Sequence, residues 1–112
     1  MKKKIITTLN APAPIGPYNQ AVLVKDTLYV SGQIGLNPQT MELVDGGVTA
    51  EAEQVMLNLK AVLEEAGMTF ENVIKSTIFV DDMNNFSKVN EVYGKYFNEE
   101  TAPARECVEA AN

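Results

Sequence analysis

The 112-residue sequence contains no histidine and no tryptophan, and only one cysteine. Without histidine, neither a Ser-His-Asp triad nor a Cys-His pair can form, and one cysteine among scattered carboxylates is a poor zinc ligand set. A single cysteine cannot form an internal disulfide, which favours a reducing compartment and predicts a cytoplasmic protein. The glycine patterns that bind nucleotide phosphates are also missing. We therefore predict no metal and no cofactor, so that an enzyme of this composition would need an intrinsically reactive substrate.

Positive charge and long apolar runs are also scarce. The chain has nine Lys and Arg against fifteen Asp and Glu, for a net charge of −6. Its one basic run, Lys2–Lys4, is interpreted as a solvated chain end. Nucleic-acid binding needs clustered positive charge, so no nucleic-acid partner is predicted. Prolines interrupt the uncharged stretch from Ile5 to Val24, which excludes a membrane-spanning helix there. A hydrophobic content of 46% fits one globular domain over residues 1–112.

The first half of the chain predicts a hairpin between two loops. Two short β-prone runs, Ala21–Val24 and Thr27–Ser31, are separated by a two-residue turn at Lys25-Asp26. Residues 11–18 contain three prolines and predict an extended loop. Residues 32–47 predict a second loop, with a short strand near Met41–Val44.

Two helices alternate with strands in the second half. Apolar residues recur every three or four positions between Thr49 and Ala66, which predicts a helix capped by Thr49 and ended by Gly67. Residues 73–80 are rich in β-branched side chains and predict a strand. Residues 85–98 predict a second helix, whose buried side carries Phe86, Val89, Val92, Tyr93, Tyr96 and Phe97. Residues from 104 onward predict a last strand. The order ββ(β)αβαβ favours an α+β fold with both helices on one face of the sheet. The opposite face carries too many apolar residues for full exposure, so burial by oligomerisation is predicted.

Arg105 is the only arginine in the chain, and Cys107, the only cysteine, follows two residues later. In a strand, residues i and i+2 point to the same face, roughly 6.5 Å apart, so guanidinium and thiol would share a surface. A planar guanidinium is the side chain best matched to a carboxylate. An ion pair on the surface is the alternative role for Arg105.

Several segments together resemble a known family. They are Gly16-Pro17-Tyr18, Ser31-Gly32-Gln33-Ile34, the run Val73–Asp82, Val89-Asn90 followed by Tyr93, and Pro103-Ala104-Arg105-x-Cys107-Val108-Glu109. Their order and spacing resemble the RidA (YjgF-type) family of reactive intermediate deaminases, collinearly from about Ile5 to Ala111. The resemblance implies a chorismate-mutase-like fold, a mixed sheet backed by two helices, in a homotrimer whose sheets form a central barrel with ligand clefts between subunits.

The resemblance also implies an activity and a site. The activity is cofactor-independent hydrolysis of 2-imino and enamino acids, such as 2-iminobutyrate and 2-aminoacrylate, to 2-oxo acids and ammonia. The implied catalytic residues are Arg105, Cys107 and Tyr18, with Arg105 on the substrate carboxylate and Tyr18 closing the cleft from a neighbouring subunit. Ser31, Gly32 and Asn90 complete the implied substrate-binding set, and the thiol lines the pocket without a histidine to activate it.

Each of these residues has a simpler structural role as an alternative. Tyr18 could serve packing, Ser31 could cap a strand end, Asn90 could be a solvated helix residue, and Cys107 could be a small buried apolar residue.

The resemblance implies a further strand after Asn112, with a glutamate that positions water. Either the protein continues beyond these 112 residues, or this form lacks that strand and its glutamate. Glu106 would point away from Arg105, and Glu109 would lie roughly 13 Å along the strand, so neither is expected to replace the glutamate. The alternative to a deaminase is a non-catalytic module of the same fold that binds a 2-oxo acid. A ribonuclease is disfavoured by the net charge.

Overall fold

The computed structural model describes residues 2–110, which form five strands, two helices and two short 3₁₀ turns. In chain order they are β1 (Lys3–Ile6), β2 (Ala21–Val24), β3 (Thr27–Val30), α1 (Gly47–Glu65), a turn at Phe70–Asn72, β4 (Lys75–Val80), a turn at Met83–Asn85, α2 (Phe86–Gly94) and β5 (Ala104–Glu109). The α+β class and the alternation of strands and helices are those predicted.

The strands pair as two sheets. β1, β2 and β3 form an antiparallel sheet, in which β2 and β3 are the predicted hairpin, and β4 and β5 form a parallel pair. Strand β1 was missed, because Lys2–Lys4 suggested a solvated end. The strand predicted near Met41–Val44 is reduced to a single bridge between Leu36 and Leu43, since Met41 has a φ of +61° that interrupts extended backbone.

Helix α1 begins earlier than predicted and ends as predicted. Gly46 lies at the N-cap with no side-chain hydrogen bond, so the Thr49 cap was wrong. At the other end Gly67 adopts a φ of +75°, and its N–H donates to the Glu64 carbonyl at 2.9 Å. The Met68 N–H donates to the Leu63 carbonyl at 2.8 Å. These two bonds satisfy carbonyls that the helix end leaves free, and the left-handed position favours glycine.

Helix α2 ends at Gly94, four residues before the predicted end. Glycine is the weakest helix former after proline, so the helix has little reason to continue there. The aromatic residues that follow pack outside the helix, since the Phe70 ring lies 5.2 Å from the Tyr96 ring and 5.3 Å from the Phe97 ring, measured between centroids. The apolar pattern predicted for this helix therefore includes Tyr96 and Phe97, which lie in the turn after α2.

The core lies between the helices and one face of each sheet. Ile6, Ala21 and Val62 belong to the buried cluster that joins β1, β2 and α1. The opposite faces stay open in the single chain, because Tyr29 is 63% exposed and Phe79 is 69% exposed. This pattern agrees with the prediction that one sheet face is left uncovered. Within residues 2–110 no helix is both long enough and apolar enough to span a membrane.

Candidate functional site

Arg105 and Cys107 point to the helix side of the parallel pair. In the parallel register Arg105 lies opposite Ser76 and Cys107 lies opposite Ile78, and partners in register share a face. Ser76, Ile78 and Cys107 are half-buried on this face, whereas Arg105 is exposed. Guanidinium and thiol therefore share the surface predicted from their spacing. The thiol is half-buried and the guanidinium remains accessible.

Helix α2 supports the guanidinium with one stripe of residues. The Arg105 Nη1 donates to Asn90 Oδ1 at 2.7 Å. The guanidinium carbon lies 4.9 Å from the Tyr93 ring centroid and 5.5 Å from the Phe86 ring centroid, within the range of cation–π attraction. Phe86, Asn90 and Tyr93 are spaced i, i+4 and i+7, so they line one side of the helix. Arg105 therefore has a preferred orientation before any ligand binds.

Two of these three helix residues were missed as part of the site. Phe86 and Tyr93 were assigned to the apolar face of α2, which also describes their packing. Their common helical spacing with Asn90 was the signal that could have linked them to it. A further contact fixes the Tyr93 ring, since its hydroxyl lies 2.6 Å from Ser76 Oγ. We define the Arg105 cradle as Ser76, Phe86, Asn90 and Tyr93.

The other predicted site residues lie at the end of the antiparallel sheet. The Ser31 hydroxyl donates to the Asn19 carbonyl at 2.6 Å, as a strand-end cap would. Gly32 is exposed, and an added Cβ there would meet no atom within 4 Å. Tyr18 is 49% exposed, and its hydroxyl accepts a long hydrogen bond of 3.5 Å from the Ile15 N–H. These contacts are local to the sheet end and do not extend to Arg105.

Two buried amide side chains, both missed in the sequence, hold the loops beside Ser31 and Tyr18. Gln20 is 3% exposed and closes a reciprocal pair with the Thr8 backbone, accepting at 2.7 Å and donating at 3.0 Å. Asn58 on α1 is fully buried and donates to the Ile34 and Leu36 carbonyls at 3.2 and 3.0 Å. A buried amide needs such partners, so both loops are restrained.

Both glutamates of β5 are engaged away from the guanidinium. Glu106 lies on the opposite face, where it accepts from Thr77 Oγ1 at 3.1 Å and approaches Lys75 Nζ at 3.8 Å. Glu109 accepts from the Met83 N–H at 2.8 Å and so fixes the turn before α2. Both carboxylates are therefore occupied by contacts within the single chain.

An ion pair that changes the pKa of its members lies at the junction of the two helices. Lys95 Nζ and Glu53 Oε1 are 2.7 Å apart. The Lys95 hydrogen bond lowers the pKa of Glu53, and the same bond raises the pKa of Lys95. Burial, followed by the nearby Glu53 charge, raises the pKa of Tyr96. This ion pair links α1 to Lys95, the residue that follows α2, and lies outside the cradle.

A cavity of about 370 Å³ also lies outside the predicted site. Phe70, Lys95, Tyr96 and Phe97 contribute to its lining, and it contains neither Arg105 nor any other predicted site residue. Its one cation is already paired with Glu53. We place the candidate site at the cradle instead, because a planar cation oriented by three side chains can receive a carboxylate. No cluster of three potential metal ligands occurs within residues 2–110.

The comparisons with known proteins all match one protein family. The model of the family described as Endoribonuclease L-PSP matches residues 8–112. A RutC family protein, slr0709 of Synechocystis, is 56% identical, over 99% of this chain and 86% of that protein. The 2-iminobutanoate/2-iminopropanoate deaminase of Bos taurus is 50% identical, over 97% of this chain and 79% of that protein.

Solved structures share the fold as well. The crystal structure of E. coli TdcF with bound serine is 41% identical in sequence and superposes with a TM-score of 0.89. The match covers 97% of this chain and 87% of that one. The two-helix α+β arrangement described above is therefore the fold of these relatives.

Proposed function

The chain belongs to the Endoribonuclease L-PSP family, the RidA family that its motifs resemble, and on that basis we propose that it hydrolyses reactive 2-imino acids to 2-oxo acids and ammonia. Relatives at about half identity are named 2-iminobutanoate/2-iminopropanoate deaminases. The observation that carries the proposal is the Arg105 cradle, which holds an exposed guanidinium in one orientation, and a planar guanidinium is well matched to a carboxylate. The serine in the related TdcF structure is itself a small carboxylate ligand.

The proposed reaction needs little from the protein. Water adds to C2 of the protonated imine, the resulting carbinolamine releases ammonia, and a 2-oxo acid remains. The imine is already electrophilic once protonated, so orientation and proton placement provide the catalysis. No cofactor is invoked.

Each predicted site residue has a place in this proposal. Arg105 binds the substrate carboxylate through two parallel hydrogen bonds, and Asn90 orients it. Cys107, two residues along the same face, lines the pocket beside the substrate. The Ser31 hydroxyl, the Gly32 backbone amide and Tyr18 bind the substrate from the other side of the cleft.

We propose that this cleft forms between subunits of a homotrimer. Ser31, Gly32 and Tyr18 lie at the end of a different sheet from Arg105, so a neighbouring copy is the natural partner for the cradle. The exposed apolar residues Ile5, Tyr29, Phe79 and Val108 support burial of the open sheet faces against other copies. Light scattering should give three times 12.2 kDa, and a monomer at micromolar concentration would contradict the shared cleft.

The deaminase activity is tested with an imine generated in the assay by a coupled enzyme. Threonine dehydratase generates 2-iminobutyrate, and 2-oxobutyrate formation is followed with and without this protein. We expect a rate above spontaneous hydrolysis in proportion to protein concentration. Equal rates with protein and with buffer would refute the deaminase proposal.

A second candidate function is binding of a 2-oxo acid without turnover. It is favoured by one observation, the engagement of Glu106 and Glu109 away from the guanidinium. Calorimetry with 2-oxobutyrate and pyruvate distinguishes the two functions, because binding without turnover supports this candidate and binding with turnover supports the deaminase.

The family description also names an endoribonuclease activity. The net charge of −6 and the confinement of the one basic run to Lys2–Lys4 argue against RNA binding by this chain. Small carboxylates are therefore the ligands we propose. A cytoplasmic location stays a prediction from the single cysteine.

A further inference from the structure

Tyr93 lies directly beneath the guanidinium that the proposed function depends on. Its ring centroid is 4.9 Å from the guanidinium carbon of Arg105, closer than that of Phe86. We propose that Tyr93 is a positioning residue, whose ring fixes the plane of Arg105 and thereby sets the affinity for the substrate carboxylate. This inference rests on the proposed carboxylate site. It assigns part of the affinity of that site to a residue that does not touch the ligand.

The ring is itself held on two further sides. The Tyr93 hydroxyl lies 2.6 Å from Ser76 Oγ, on the strand next to Arg105. The Phe97 ring lies 4.5 Å from the Tyr93 ring, centroid to centroid, with 32° between the planes. Strand β4 and the turn after α2 therefore both restrain the Tyr93 ring. A fixed surface can restrain a long side chain placed on it.

Restraint matters because an arginine side chain is flexible. Ordering it upon ligand binding costs rotamer entropy, and a receptor ordered in advance avoids that cost. Arg105 is exposed, so its cradle contacts are what order it in the free protein.

The cradle also determines which edge of the guanidinium is free. Nη1 already donates to Asn90 Oδ1, whereas Nε and Nη2 bond to no group within residues 2–110. The Nε–Nη2 edge is thus the pair left open for a bidentate carboxylate. The bond from Nη1 to Asn90 and the Tyr93 ring beneath the guanidinium carbon leave that edge accessible, since Arg105 is exposed.

The single arginine makes this inference directly measurable. In a ¹⁵N-labelled protein the Nε–Hε signal belongs to Arg105 alone, because the chain has no other arginine. We expect an ordered Nε–Hε vector in the ligand-free wild type and in Tyr93→Phe, which keeps the ring. We expect a mobile one in Tyr93→Leu. Equal order in Tyr93→Leu and wild type would overturn the inference.

Affinity for 2-oxobutyrate, measured by calorimetry, gives the second test. Tyr93→Leu should raise Kd about tenfold, the order expected from a lost cation–π contact and lost ordering, whereas Tyr93→Phe should stay within about threefold. In the Arg105→Lys background, Tyr93→Leu should add less than about twofold, because the planar cation on which Tyr93 acts is gone.

The outcomes separate the inference from the proposed function. If Arg105→Lys weakens binding and Tyr93→Leu does not, the role of Tyr93 is wrong and the carboxylate site stands. An equal Tyr93→Leu effect in both backgrounds would show a role in folding alone and would also overturn the inference. If 2-oxobutyrate binds wild type and Arg105→Lys alike, or neither, the proposed site itself fails. Tyr93→Met, a filler of similar length without a ring, replaces Tyr93→Leu should that variant not fold.

Discussion

Replacing Arg105 by lysine separates a ligand-binding role from a structural one. Lysine keeps the positive charge but replaces a planar group with five donors by a point charge with three. A bidentate contact with a carboxylate is then impossible. The contacts with Asn90, Phe86 and Tyr93 lose their planar partner as well.

A ligand-binding role predicts a large rise in Kd and a small loss of stability, whereas a structural role predicts the reverse. A hydrogen bond to a charged group contributes about 1.5–3 kcal/mol, so losing one of two such bonds should raise the Kd for 2-oxobutyrate by roughly 10- to 150-fold. Each of the two exposed cation–π contacts contributes about 0.5–1 kcal/mol to folding, so their loss should lower the unfolding free energy by no more than about 2 kcal/mol. Breaking a buried ion pair would instead cost about 3–5 kcal/mol of unfolding free energy.

Calorimetry for the Kd and thermal unfolding for stability measure both quantities on the same samples. Glu106→Gln is the matched control, because Glu106 adjoins Arg105 on β5 and points to the opposite face. The control should bind 2-oxobutyrate like the wild type. Unchanged binding by Arg105→Lys together with a large fall in melting temperature would show that Arg105 is structural and would refute the carboxylate site.

Three further predictions follow from separate contacts. Gly35→Ala should lower the unfolding free energy by about 1–3 kcal/mol, since its Cβ would lie 2.9 Å from a backbone atom of α1. The Cβ added in Gly32→Ala would contact no atom within 4 Å. An unchanged melting temperature with weaker 2-oxobutyrate binding would therefore support a site role for Gly32. Glu109→Ala should cost about 0.5–2 kcal/mol by removing a turn cap and leave ligand affinity unchanged; a large loss of affinity would contradict that assignment. Because Lys95 lowers the pKa of Glu53 below its ordinary 4.5, this pair stabilises the fold above pH 4.5 and the contribution is lost as the pH falls through the lowered value. Glu53→Gln should therefore flatten the acid side of the stability–pH curve, and an unchanged curve would refute the coupling.

Local sequence patterns predicted both helices and all strands except β1, but not every helix end. The stripe of α1 and its terminating Gly67 were predicted because a glycine at a left-handed position is a local requirement. The prediction of Thr49 as N-cap was wrong, since the first residue of a helix depends on the path of the preceding loop. Strand β1 was missed because pairing with β2 is a long-range contact that the lysine-rich sequence of Lys2–Lys4 does not signal.

The sequence by itself determined the chemistry that this protein could use. The absence of histidine, the single arginine and the alternation of β5 fixed one planar cation and one thiol on a common face, since residue type and strand period are local properties. The tertiary structure alone decided what surrounds that cation. Phe86, Asn90 and Tyr93 meet Arg105 only because α2 packs over the β4–β5 pair, and contacts between residues distant in the chain depend on packing that no local pattern encodes.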